Sequence, residues 1–538
     1  MTTCPRCSFV NSDQAKFCGV CGEPLVQRAP VKVEVKPIAD SIHPHLKKKE
    51  TCFYHTELPA SRFCSRCGCP ICAECSKLYG SLYFCPECYW GLAPRISQKN
   101  ETPPPPIAPT VSEKAVLFKL SLLSILMGIL GAIVLYIFAF IMHYGIDFLW
   151  VTIPNFFGIS PEFLAPPYFI ISMTLIGGLL AGAITRVSKV PPTLLQQELE
   201  EIAKHGRYGM LDGIVGMIRG LVAILFGASI GPEGPLTGAC ASLGTWFAER
   251  AKLPKPEVMA CLSSAISGMF GGFLNTPFGW PLLFVEGGLE SGKLSWKVLL
   301  PTILAGSVGA GLFFVLTGSS FMGEFLVPPV PGFDFIFLIY AVILGLVGAL
   351  LGMLFVYFFN GLKRLVKRWE VNHAIELGLL AGLVLGVVAS GFPLVLFDGA
   401  SVNTLTIGTL ITSAAGLGAP MVLLYSFMKL TVTVVCLAFG EAGGFFFPTF
   451  FIGGAMGLAI NLVFPFIPLA ICMSCVMVGI VMALAKVPIA MSLIVALAFG
   501  TRLTAVIAVA AVTAYLFTYG VHLRFGEKEE STTGPKQS

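Results

Sequence analysis

Charge is what this sequence lacks. Of its 538 residues only 12% are Asp, Glu, Lys or Arg, against roughly 25% in an average soluble domain. Hydrophobic residues make up 55% and the mean hydropathy is +0.81, so most of the chain is expected to lie in a membrane. The formal net charge of +5 supplies no concentrated basic surface, and no nucleic-acid partner is expected. Histidine is scarce as well. Only His143, His205 and His373 fall in or between the apolar runs ahead of the last one, a thin supply of bases for catalysis. No secretory leader is expected, because Met1-Thr2-Thr3-Cys4 has neither a basic start nor an apolar core. The amino-terminal region is therefore expected to be cytoplasmic and reduced, with its thiols kept for metal rather than disulfides.

Those thiols are concentrated. Twelve of the 17 cysteines precede Asn100. Cys4-x-x-Cys7 and Cys18-x-x-Cys21 form two knuckles ten residues apart, a spacing that lets four thiolates surround one zinc tetrahedrally. So short a segment has no core without the metal; residues 1–25 resemble a zinc ribbon. A redox role for Cys-x-x-C would want a βαβ context, which is absent. After a linker at 26–50, residues 51–92 hold Cys52-x-x-His55, Cys64-x-x-Cys67, Cys72-x-x-Cys75 and Cys85-x-x-Cys88. Eight ligands suit two zinc ions, which makes three structural zinc ions in all. Spacing alone allows sequential or alternating pairing. The module resembles a B-box or RING-like finger, and that resemblance implies first with third and second with fourth. Cys69 is left over as a bystander. Closed four-ligand sites leave no position for a catalytic water, so docking to a cytoplasmic protein is the expected use.

A proline-rich spacer at 93–112 leads to the apolar part, 113–523. Spans are expected at Leu120–His143, Tyr168–Thr185, Leu211–Phe226, Met259–Val285 with a break at Asn275-Thr276-Pro277, Val298–Met322, Phe335–Asn360, Leu377–Phe397 and Leu503–Val521. The charge-free run Ala442–Ala485 is too long for one crossing and is expected to break at Phe446–Pro448 and near Pro465 and Pro468. Asp212 and Arg219 turn their span toward protein rather than lipid. Lys363, Arg364, Lys367 and Arg368 share one short connection, which the positive-inside tendency places in the cytoplasm. Both termini, including the polar tail 524–538, are expected on that side of a cell membrane.

The most informative stretch is Gly231-Pro232-Glu233-Gly234-Pro235. Glycines and prolines interrupt the helix at mid-depth and leave free N–H groups at a new helix start, an anion site by construction. Glu233 is an ionisable residue in that junction. Phe446-Phe447-Pro448-Thr449-Phe450 echoes it, and each copy runs on into small residues. Pro235 and Pro448 are 213 residues apart, and Pro277 and Pro488 are 211 apart. Two agreeing offsets imply an internal repeat of the kind transporters use, with substrate held where broken helices meet.

These residues carry a resemblance to the CLC chloride channels and proton-coupled chloride transporters over roughly 112–523. Gly231-Pro232-Glu233-Gly234-Pro235 is similar to the family's Gly-Lys/Arg-Glu-Gly-Pro signature, with Pro232 in place of the basic residue. Gly443-Gly444-Phe445-Phe446-Phe447-Pro448 is similar to its Gly-x-Phe-x-Pro signature, and Val187-Ser188-Lys189-Val190-Pro191 is a degraded match to Gly-Ser-Gly-Ile-Pro. The resemblance implies an all-α polytopic fold with an inverted repeat of broken helices, homodimeric assembly, and chloride as the transported ion. It implies Glu233 as the gating glutamate, competing with an anion for the outer site. Ser188, Gly234, Phe445 and Phe446 are implied around the anion, Ser188 through its hydroxyl. Proton-coupled members carry a relay glutamate directly after a first one; these positions fall on Gly287 and Glu286, leaving Glu286 as the candidate relay. The nucleotide-binding CBS domains that members often carry are not expected after so short a tail.

The favoured function is therefore passive passage of chloride or a similar monovalent anion, gated by Glu233. Proton-coupled chloride antiport is the alternative, and a membrane-anchored zinc docking protein is a third. Gly227-Ala228-Ser229-Ile230-Gly231 fits the Gly-x-Ser-x-Gly pattern of serine hydrolases, but it lacks the strand–turn–helix setting and the histidine. No enzyme is expected.

Overall fold

Hydrocarbon offers the backbone no hydrogen-bond partner, so apolar spans fold as helices. The computed structural model describes residues 2–3, 10–11, 51–52, 54, 58–65, 69–79, 82–86, 113–159, 165–287, 296–319, 321–322, 327–328, 330, 332–366, 369, 372–399 and 406–521. The chain divides into two units, Met1–Ala108 and Pro109–Ser538. In the first, short antiparallel pairs join Arg62–Phe63 to Pro70–Ile71 and Lys77–Tyr79 to Leu82–Phe84 around buried cysteines. The expected ribbon ligands Cys4, Cys7, Cys18 and Cys21 lie outside the described residues, as do His55, Cys67 and Cys88.

The second unit is all-α. Its helices, numbered in chain order, are α1 Glu113–Asp147, α2 Pro167–Ser188, α3 Leu195–His205, α4 Met210–Leu225, α5 Glu233–Arg250, α6 Lys255–Leu274, α7 Gly279–Gly287 and α8 Trp296–Thr317. The second half follows with α9 Ile336–Val366, α10 Ala374–Gly391, α11 Ile407–Ala438, α12 Phe446–Val463, α13 Leu469–Ala485, α14 Pro488–Phe499 and α15 Thr504–Phe517. Among the described residues eight helices are long and apolar enough to cross a membrane.

The repeat expected from the prolines is present in the backbone. α5 and α12 begin at Glu233 and Phe446 and end at Arg250 and Val463, a shift of 213 at both ends. α6 and α13 both end in a left-handed cap with φ 54° and ψ 36°, at Asn275 and Lys486, 211 apart. Each break is preceded by a glycine of positive φ, 97° at Gly227 and 96° at Gly440. Packing repeats too: α1 lies on α6 and α8, while α9 lies on α13 and α15. The halves meet where α2 crosses α10. A Cβ on Gly178 would lie 1.9 Å from the Gly378 carbonyl oxygen, and one on Gly378 would lie 2.1 Å from that of Gly178. Only glycine lets the two backbones touch there.

Met259–Val285 is two helices, α6 and α7, separated at the expected Asn275-Thr276-Pro277 break. Other boundaries differ from expectation. Ala442–Ala485 divides at Phe464–Pro468, while Phe446–Pro448 is the start of α12 rather than a break within a helix. The 32-residue α11 was not expected. Its Thr, Ser and Gly content dilutes the apolar signal, and it is kinked at Gly418 (φ 75°, ψ 161°) just before Pro420.

Candidate functional site

The two helix breaks face one another. Gly231 N–H donates to the Gly444 carbonyl at 2.8 Å and Gly444 N–H donates back at 2.7 Å. These residues are equivalent in the two repeats, so the reciprocal pair marks the local two-fold. Side chains are excluded on both strands of this bridge: a Cβ on Gly231 would lie 2.0 Å from Glu233 Oε2, and one on Gly444 would lie 1.9 Å from Glu233 Cδ. The glycines make room for the carboxyl group.

Glu233 is fully buried on the first turn of α5. Its Oε1 accepts the Phe446 N–H at 2.6 Å, while Oε2 has no hydrogen-bond partner among the described residues. The carboxylate of one repeat therefore sits at the free N terminus of the other repeat's broken helix, where partial positive charge favours an anion. Phe446 and Phe445 are buried around it, with ring centroids 5.0 Å apart. Gly234 packs against Gly443, whose carbonyl carbon would be 3.2 Å from an added Cβ. Glu233, Gly234, Phe445 and Phe446 are thus brought together.

Ser188 and Glu286 are elsewhere. Ser188 ends α2, half-buried, and its Oγ accepts the Val190 N–H at 3.3 Å; it has no described contact with Glu233 or Phe446. Lys189, where the family signature has glycine, adopts φ 58° as the cap of α2 and is exposed. It thus takes the backbone conformation that glycine adopts freely. Glu286 places Oε1 on the Ile489 N–H at 2.8 Å and Oε2 on the Ala490 N–H at 2.6 Å. Both oxygens are engaged in capping α14.

Two buried cations escaped the sequence analysis as site elements. Arg219 on α4 donates to Thr185 Oγ1 (3.2 Å), the Val190 carbonyl (2.9 Å) and the Pro191 carbonyl (3.3 Å), clamping the loop that follows α2. Lys429 on α11 donates to the carbonyls of Val395 (2.9 Å), Leu396 (3.2 Å) and Phe397 (2.6 Å), clamping the loop that follows α10. Phe397 N–H in turn reaches the Gly227 carbonyl at 3.1 Å, so the second clamp supports the strand leading to Glu233. An isolated lysine in an apolar run was the available signal for it. Ser229, of the hydrolase-like pattern, shares a 2.9 Å hydrogen bond with the Thr433 hydroxyl, and a histidine base is absent from its described contacts.

In the first unit Cys52, Cys72 and Cys75 place their sulfurs within 4.8 Å of one another, and so do Cys64, Cys69 and Cys85. Burial first, then the neighbouring Cys72 and Cys52 thiols, pushes the Cys75 thiol up to about 12. Crowded, buried thiols of this kind suit a soft divalent metal that displaces their protons. The first cysteine pair meets the third and the second meets the fourth, the alternating arrangement. One expectation is corrected: Cys69, read as a bystander, belongs to one of the two clusters found among the described residues. The 2.9 Å bond from Cys64 N–H to the Cys69 carbonyl folds that knuckle and brings Cys69 inward.

Paired broken helices in a polytopic membrane unit, with a carboxylate at their junction, define a membrane transport protein rather than an enzyme. The chain belongs to the voltage gated chloride channel family, whose model matches residues 177–519, more than half its length. It is 26% identical over 383 residues to the Salmonella schwarzengrund (strain CVM19633) protein "Putative ion-transport protein YfeO", covering 68% of this chain and 86% of that one. A solved CLC-type fluoride/proton antiporter shares the fold at TM-score 0.58 and 20% identity, covering 77% of this chain and 98% of the other. A slow cyanobacterial Cl⁻/H⁺ antiporter does so at 0.60 and 16%, covering 75% and 94%.

Proposed function

We propose that the protein exchanges a small monovalent anion, chloride or fluoride, for protons across a cell membrane, with Glu233 as the group for which both compete. The observation that carries this is the 2.6 Å bond from Phe446 N–H to Glu233 Oε1. The carboxylate occupies the place an anion would take at that helix start. Protonated, it loses the charge that holds it there and gives up the place. Partial charges from N–H groups hold an anion loosely enough for it to leave, as a fixed lysine would not. The two antiporters of the same fold favour exchange over the passive channel that the sequence analysis preferred. Gly287 favours the channel, since glycine carries no proton.

The test is purified protein in liposomes under opposed anion and proton gradients. Exchange displaces the reversal potential from the anion potential in proportion to the proton gradient. A reversal that ignores the proton gradient would overturn it and restore the channel. Glu233→Gln should abolish proton movement while anions still pass.

For the first unit the reading is structural zinc at Cys52, Cys72 and Cys75 with His55, and at Cys64 and Cys85 with ligands drawn from Cys67, Cys69 and Cys88. A third zinc is read at Cys4, Cys7, Cys18 and Cys21. Elemental analysis of the purified chain should return three zinc ions. Cys69→Ser leaves that ratio unchanged if Cys67 and Cys88 complete the second site and lowers it if Cys69 is a ligand.

A further inference from the structure

Glu233 is not the only carboxylate at the crossing of the repeats. Glu441 lies between α11 and α12, three residues before the bridging Gly444, and is 3% exposed. One oxygen meets the Cys436 thiol, and Oε2 has no hydrogen-bond partner among the described residues. It lines a small, partly open cavity of about 10 Å³ together with Ala181, Gly182 and Thr185 of α2, Pro192, and Ala374 and Gly378 of α10. That is about the room one water needs. Cys436 is the only titratable side chain described against it; the faces offered by α2, α10 and the Pro192 turn carry none.

The position is pointed at Glu233 by the fold. Because the Gly231–Gly444 bridge is antiparallel, the chain running back from Gly444 to Glu441 lies beside the first turn of α5. A Cβ on Gly220 would meet both Pro235, at 2.2 Å, and the Ala442 carbonyl oxygen, at 2.9 Å. Glu441 is three residues from Gly444, beside which the Glu233 carboxyl lies, so the Glu441 and Gly444 Cα atoms are at most about 11 Å apart. A buried carboxyl with an open oxygen is costly unless it is neutral or has a use. Glu198 on α3 is also buried with an open oxygen, but it accepts the Thr193 hydroxyl at 3.1 Å and is faced by the Arg219 charge. It reads as part of the Arg219 clamp. The repeat itself marks Glu441 as an addition, since the equivalent residue 213 earlier is Ala228.

We propose that Glu441 is a second proton-carrying group of the exchange, taking up and releasing its proton through water in the adjoining cavity. This rests on the exchange reading of Glu233 above. The Glu441 carboxylate takes a proton from water in that cavity to become the carboxylic acid, and as the acid it returns the proton to water. Glu286, with both oxygens held by α14, is thereby released from the relay role.

The experiment records anion and proton flux together for reconstituted wild-type protein and Glu441→Gln. Removing a positioned proton-transfer group is expected to slow proton flux on the order of a hundredfold, while anion flux continues uncoupled and the reversal potential moves to the anion potential. If Glu441→Gln does not reconstitute, Glu441→Ala replaces it, since the first repeat accommodates alanine at the equivalent Ala228. Glu441→Asp, which keeps the acid, should retain proton movement. Wild-type protein that moves no protons sinks the exchange reading and this inference with it. Coupled wild-type protein whose coupling survives Glu441→Gln or Glu441→Ala sinks the inference alone.

Discussion

The two repeats share a backbone and differ in where they carry charge. Glycines of φ 97° and 96° precede the two breaks, and caps of identical φ and ψ close α6 and α13. Yet Glu233 in the first repeat corresponds to Phe446 in the second, and Glu441 in the second corresponds to Ala228 in the first. A backbone that builds an anion-binding helix start twice would, with identical side chains, make a site with no preference between its halves. On the function proposed above, the asymmetric carboxylates convert it into a site that one repeat supplies with donors and the other with a removable anion. The buried cations show the same economy. Arg219 and Lys429 each sit on the helix before a break and each clamp the loop after the repeat's second helix, although a one-turn offset separates their equivalent positions.

The largest effect that would break this comparison is loss of a clamp. Lys429→Met leaves three buried carbonyls without their donor, and each unsatisfied group costs about 1–3 kcal/mol. Asp398, whose opposite charge faces Lys429, would also lose its counter-charge, which adds to the penalty. We expect little monodisperse protein in detergent. Arg219→Met should act similarly but less severely, because Thr185 still has the Ala181 carbonyl at 3.1 Å to bond. If both variants purify with wild-type yield and melting temperature, the clamps are not what holds the loops.

How far was this legible beforehand? The breaks were, because proline and glycine act locally: Pro235, Pro277, Pro448 and Pro488 set the same helix starts wherever they occur. The repeat followed from their offsets. The clamps were not, because a cation's partners are carbonyls of loops some 30 residues away, and nothing in sequence encodes carbonyl direction. Phe446 could be placed by motif, whereas Glu441, one residue ahead of the charge-free run from Ala442, was not singled out. Its place emerges only when the antiparallel bridge lays it beside α5. Ser188 was expected beside the anion on a degraded motif; its hydroxyl accepts the Val190 N–H. Cys69 was discarded by counting ligands in pairs, a rule that ignores how a knuckle turns.

A second effect sharpens the comparison without unfolding anything. Neither Gly231 nor Gly444 has a positive φ, so alanine is acceptable to the backbone at both. What an added methyl meets is the far end of Glu233, which can move. Gly444→Ala should therefore displace the carboxyl from Phe446 N–H and act in the direction of Glu233→Gln but less completely, with proton flux down about a hundredfold and the protein still folded. Gly231→Ala, which presses on Oε2 rather than Cδ, should act in the same direction and more weakly. Intact coupling in Gly444→Ala would mean that Glu233 works from some other position than the one seen.

The smallest effect tests whether the matching caps are equivalent in energy as well as geometry. Asn275 and Lys486 share φ 54° and ψ 36°, a conformation costing most residues roughly 1–2 kcal/mol and asparagine less. Glycine removes that strain but loses about 0.5–1 kcal/mol through the freer unfolded chain. For Asn275→Gly the two terms nearly cancel, and the melting temperature should move by no more than about 2 °C. Lys486 differs because its Nζ donates to the Thr518 carbonyl and, at 2.7 Å, to the Thr518 hydroxyl, tying α13 to the end of α15. Lys486→Gly relieves more backbone strain but removes both bonds, each contributing about 1 kcal/mol net, so the balance turns destabilising. Thermal melts in one detergent should therefore order wild type and Asn275→Gly together, with Lys486→Gly below. Equal melting of the two glycine variants would show that the lysine's bonds to Thr518 add nothing, and that the caps are alike in energy as well as in angle.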